Sequence, residues 1–198
     1  MTLKLLRRKL GCTSGQSLLE FAIVVPMVLA VALGVIELGY ALLDQHVITK
    51  LAREGSNLIS RNTSLGDAAA ALRDMSTRPV NFTNGTSKMI LSVIKKGATT
   101  GTSNYNQDIL YQRYEYGSLA ATSTLTTRGA GSFGTAPEYT AANSDSNTNL
   151  QITNLPTGLV APNGYVYVTE IYTTHTLITP FDRLGIQVPS VLYSIAYF

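Results

Sequence analysis

Sixteen consecutive residues, Phe21 to Ile36, carry no charge, and with Leu18, Leu19 and the stretch Leu38 to Leu43 the apolar run reaches about 26 positions. Roughly 20 helical residues cross a hydrocarbon core of about 30 Å, so the run predicts a membrane-spanning helix. Lys4, Arg7, Arg8 and Lys9 precede it, with no acid among the first 15 residues. The positive-inside bias holds that flank in the cytoplasm and sends everything after the helix outward. Without these four, the 15 basic residues fall to 11 against 12 acidic ones, a balance of −1. The body therefore has no positive excess for a nucleic-acid partner, which phosphate binding would require.

The 198 residues suit one domain with an appendage, and 16 Gly, 7 Pro and abundant Ser, Thr and Asn argue against a polytopic membrane protein. Cys12 is the one cysteine, so neither an intramolecular disulfide nor a cysteine-based zinc site can form. It precedes the apolar run, whereas a lipoprotein cysteine follows one, and it reads as a bystander.

Glu20 sits inside the cytoplasmic edge of the apolar run. A charge costs about 2.5–3.5 kcal/mol at mid-membrane and less near the surface, so this carboxylate calls for a partner. The preceding residues are Gly15-Gln16-Ser17-Leu18-Leu19. A cut after Gly15 would create an α-amino group at Gln16, on the helical face that carries Glu20. Basic leader, glycine, acid at the fifth position after it and then an apolar helix resemble the class III signal peptide of type IV pilins and pseudopilins. Glu20-Phe21-Ala22-Ile23-Val24-Val25-Pro26, Gly34-Val35-Ile36-Glu37-Leu38-Gly39 and Ala52-Arg53-Glu54-Gly55 resemble the TadE/TadG-like family of the tight-adherence, or type IVc, pilus.

That resemblance implies a non-enzymatic minor pilin or pseudopilin. A prepilin peptidase of the inner membrane would cut between Gly15 and Gln16, and Glu20, Phe21 and Pro26 would take part in subunit assembly. The implied partners are the inner membrane, other pilin and pseudopilin subunits and the pilus assembly platform, and the usual association is surface adhesion. A length of 198 residues exceeds that of the short major pilins of this branch and favours a minor role. The residues alone leave two other readings open: an uncleaved bitopic anchor carrying a periplasmic binding domain, and a secretory signal cut after Ala30-Val31-Ala32. Pro26 should bend the helix. Glu37 lies roughly 28 Å beyond Leu18 and is expected among the outer headgroups, solvated there.

After Leu43 the pattern becomes amphipathic, with Leu43, Val47, Ile48, Leu51, Ala52, Gly55, Leu58 and Ile59 on one stripe. The expected organisation is a cytoplasmic leader at 1–15, a transmembrane helix at 16–43, its amphipathic continuation at 44–62 and a periplasmic domain at 63–198. A second helix is predicted from Ser64, its cap, to Met75, ended by Arg78-Pro79. Strands are predicted at Lys88–Lys96, Ile109–Tyr116, Tyr165–Thr176 and Val191–Phe198. The fold class is therefore α+β: a long N-terminal helix extended into a small antiparallel sheet domain, the lollipop of a pilin, with one sheet face on the amphipathic helix. The segment 117–164, mostly Ser, Thr, Ala, Gly and Asn, reads as a mobile low-complexity loop and solvated filler. Pro180 is expected in the connection before the last strand.

Other motifs carry no chemistry. Gly129-Ala130-Gly131-Ser132-Phe133-Gly134 spells a dinucleotide fingerprint, but no strand precedes it and no helix follows. His46 and His175 stand apart, without Cys, Asp or Glu at ligand spacing, so no metal or other cofactor is expected. Ser, His and Asp occur without a nucleophile elbow. The sequons at Asn62, Asn81 and Asn84 are expected from composition alone.

Overall fold

A computed structural model describes residues 13–179 and 190–198. The leader residues Lys4, Arg7, Arg8, Lys9 and Cys12, and the connection at Pro180, lie outside the described residues. The element order is α1 (Thr13–Ser60), α2 (Leu65–Met75), β1 (Ser87–Lys96), β2 (Asp108–Tyr116), β3 (Tyr165–Thr174) and β4 (Val191–Tyr197), with one turn of 3-10 helix at Thr148–Leu150. The fold is α+β, a long apolar N-terminal helix followed by a four-stranded antiparallel sheet. By contacts the chain divides into two units, Met1–Ala41 with Leu177–Gln187, and Leu42–Thr176 with Val188–Phe198.

In the first unit, α1 exposes large apolar residues on all sides, Leu18, Phe21, Ile23, Met27, Val31 and Val35 among them. An all-round apolar surface suits lipid or other helices, not water. Pro26 lies inside the helix and removes the amide that would reach the Ala22 carbonyl.

In the second unit the strand order is β2-β1-β3-β4, every neighbour antiparallel. The central position of β1 explains its nearly unbroken burial. One sheet face presents Met89, Leu91, Val93, Ile171 and Ala196 to Ile48, Leu51, Ala52 and Ile59 of α1 and to Leu65, Ala68, Ala69 and Leu72 of α2. These α2 residues recur at helical spacing. Its start is fixed by Ser64, whose Oγ accepts from the Asp67 amide at 3.1 Å and donates to the Asp67 carboxylate at 2.8 Å. Gly55 permits the close approach of α1, because a Cβ there would stand 2.7 Å from Thr169 Cγ2 and 2.9 Å from Leu72 Cδ1. Ser56 Oγ then donates to the Ala196 carbonyl at 2.9 Å, and Gln45 Nε2 to the Tyr193 carbonyl at 3.1 Å.

The other sheet face is covered by the segment 117–164, so the expectation of solvated filler there is corrected. Leu125 and Val160 close over Ile94, Val166 and Val168, while Ala141 and Leu150 pack on Ile109. The fully buried Glu170 carboxylate on β3 accepts from the Thr124 amide and hydroxyl, both at 2.7 Å, from Ser123 Oγ, and from Tyr172 OH at 3.1 Å. Arg113 on β2 donates to the same Ser123 Oγ at 2.8 Å. Burial lowers the Arg113 pKa, against the charges of Glu115 and Glu170, which raise it. A buried carboxylate supplied with four donors is a satisfied one, and here it pins an irregular segment to a sheet. The segment also shields the outer edge of β2, where the Arg113 amide donates to the Tyr139 carbonyl, the Ala141 amide to Tyr111 and the Ile152 amide to Asp108.

Candidate functional site

The residues singled out at the N-terminus lie on one continuous helix. Gly15 and Gln16 lie near the start of α1, and nothing stands within 4 Å of where a Gly15 Cβ would be. Gly15 also weakens its own turn, since glycine loses more backbone freedom than other residues on becoming helical. Gln16 Nε2 donates to Glu20 Oε1 at 3.1 Å, so positions 16 and 20 share a face and lie within reach of one another. Phe21 is exposed beside Glu20. Pro26 follows one and a half turns later, on the same uncovered apolar stretch. These five residues gather into no pocket; they are a linear display along about three turns.

The helix as a whole, Gly15–Ser60, is long and apolar enough to cross a membrane, and its most apolar part is not buried by the rest of the chain. This fits a single-pass membrane protein. Residues 15–57 match the family model for TadE-like protein. It is the family that the motifs between Gln16 and Ser56 resemble, and the match associates the chain with the Tad pilus, whose TadE-like components are structural. A search of curated proteins and a search of solved structures found no match. The TadE-like match ends at residue 57, near the end of the amphipathic stripe, and so includes Ser56 with its bond to the Ala196 carbonyl.

Two acids of the TadE-like segment have partners that sequence spacing did not reveal. In the first unit Glu37 is 3% exposed and accepts from the Ile178 amide at 3.1 Å, the Thr179 amide at 2.9 Å and Thr179 Oγ1 at 2.7 Å. The expectation that it is solvated among headgroups is therefore corrected: two backbone amides and a threonine hydroxyl bond the buried carboxylate. In the second unit Asp44 Oδ2 lies 2.7 Å from Nδ1 of His175, whose side chain is buried. β3 ends at Thr174, one residue before this pair and two short of the expected end. The one available signal was the rarity of an acid at the depth of Glu37; for partners more than 130 residues away, nothing in the local pattern speaks.

His46 is exposed on α1. Among the described residues no group of three or more His, Cys, Asp or Glu is placed to hold a metal ion. The glycine-rich stretch from Gly129 belongs to the packed segment, where Gly131 lies against Leu150 and Phe133.

Proposed function

We propose that the protein is a prepilin-like minor subunit of a Tad-type pilus, made as a membrane precursor and carried into a filament. A prepilin peptidase cuts between Gly15 and Gln16, in a helical turn already weakened by glycine. The released amine of Gln16 is then the counter-ion of Glu20, and the positive N-terminal end of the helix dipole favours the same carboxylate. The body faces the periplasm, and the apolar helix exchanges lipid for the packed helices of other subunits. Little hydrophobic energy changes in that exchange, so assembly depends on packing and on polar pairs such as amine with Glu20. Phe21 and Pro26 lie on the surface that such packing would cover. Surface adhesion is the end to which filaments of this kind commonly serve.

The observation that carries this reading is the side-chain contact of Gln16 with Glu20 at the head of an uncovered apolar helix, within the TadE-like match. Intact-mass and N-terminal analysis of protein extracted from native membranes tests it. A chain beginning at Gln16 is expected, and replacing Gly15 with leucine should leave the precursor uncut. Recovery of the leader on the native protein would leave a stationary bitopic anchor instead.

A further inference from the structure

We propose that the second unit carries a binding groove for a neutral oligosaccharide, between the end of α1 and the β2-β1-β3 part of the sheet. The groove encloses about 360 Å³. It is lined by the buried Ile59 and Val93 and by three tyrosines, Tyr111, Tyr165 and Tyr167. The Tyr111 and Tyr165 rings are 6.2 Å apart at 55°, and those of Tyr165 and Tyr167 are 6.4 Å apart at 21°. Tyr165 is half exposed. Asn62, Gln112 and Glu138 add hydrogen-bonding groups at the rim.

The backbone is shaped for this arrangement. Consecutive strand residues normally point to opposite faces, yet Tyr111 and Gln112 both line the groove. A bulge is responsible: Val93 pairs with Gln112 and Ile94 with Leu110, leaving Tyr111 as the extra residue. Bulges of this kind re-aim side chains and cluster beside functional sites. Gln112 is in turn held by the bonds of its Nε2 to Glu138 Oε2 at 3.1 Å and to Thr140 Oγ1 at 3.4 Å.

The ligand class follows from the walls. Tyrosine faces are electron-rich and receive the weakly positive C–H face of a pyranose, while amides, a carboxylate and phenols match its ring of hydroxyls. Charge does not favour an anion, since Glu138 stands at the rim and Lys95, 4.3 Å over the Tyr111 ring, is paired with Asp145 at 3.4 Å. A proline-rich peptide also fits tyrosine walls, but it offers few donors to Glu138 and few acceptors to Asn62.

This inference stands apart from the filament reading, because binding needs only the folded second unit and cleavage after Gly15 neither requires nor produces it. The test uses full-length protein in a detergent without sugar headgroups. The probes are cellohexaose and maltohexaose, with a galacturonate hexamer and a proline decamer as comparators. At least one neutral hexamer should bind with a Kd of about 0.1–1 mM by calorimetry. Saturation transfer should mark the sugar C–H protons that face tyrosine rings. Tyr165→Ala should weaken binding roughly three- to tenfold, and Tyr165→Phe, which keeps the ring face and loses only the hydroxyl, should retain most of it. The proposal is overturned if neither neutral hexamer binds at about 10 mM, if the anionic hexamer or the proline decamer binds more tightly, or if Tyr165→Ala binds as wild type. The saturation-transfer measurement on wild-type protein decides the matter even where a variant fails to fold.

Discussion

At the scale of single residues, acids decide most of the behaviour of α1. Glu20 is bonded by Gln16 at 3.1 Å, and the proposed cleavage adds a full positive charge at the same end of the helix. Glu20→Ala should therefore insert and be processed normally, yet enter filaments roughly tenfold less efficiently in competition with wild type. Quantifying both forms in sheared filaments by mass spectrometry checks this; equal incorporation would remove the pairing idea. That Gln16 and Glu20 share a face was legible in the sequence, because residues four apart on a helix are neighbours; the assembly role proposed for Glu20 rests on the cleavage itself. Glu37 was legible as an oddity and misread as to its fate, since the donors that bury it come from Ile178 and Thr179, far along the chain. Asp44 with His175 escaped notice for the same reason. Local periodicity carries no information about partners brought together by a sheet.

At the scale of elements, α1 and the four strands were readable because each has a strong period: an unbroken apolar run, an i, i+3, i+4 stripe, or dense β-branched and aromatic residues. Strand positions came within one residue at most ends, with β3 stopping at Thr174 rather than Thr176. The segment 117–164 was not readable. Its anchors, Leu125, Ala141, Leu150 and Val160, are too sparse to make a period, and its order rests on single hydrogen bonds to Ser, Thr and Asn. Glu170 is the strongest of those attachments. Glu170→Ala strips acceptors from the Thr124 amide, two hydroxyls and Tyr172, and should cost about 2–5 kcal/mol. Faster limited proteolysis between residues 117 and 130, with α1 still helical, is the expected readout. The contact of α1 with β3 offers a second check. Gly55→Leu would drive a side chain into Thr169 and Leu72, and thermal unfolding followed by circular dichroism should show a loss of about 1–3 kcal/mol.

At the scale of the whole molecule, tyrosine makes the fold sensitive to alkali. Burial raises the pKa of Tyr172, and the charge of Glu170 and its hydrogen bond raise it further; burial also raises those of Tyr114, Tyr167 and Tyr197. In the unfolded chain these phenols ionise near pH 10, whereas the folded chain holds them neutral to higher pH. Their contribution is thus complete below about pH 10 and drains away as pH rises beyond it. Melting should change little between about pH 7 and 9 and fall clearly by about pH 11, with Tyr172→Phe showing a shallower alkaline decline. The chain's own cover over β2 has one more consequence. The Arg113 amide and the Tyr111 and Asp108 carbonyls, which would otherwise recruit a stranger's strand, are already bonded to the chain's own backbone, so on that flank crowded copies find little template for fibrillar stacking, and concentrating them in a bilayer is correspondingly safer.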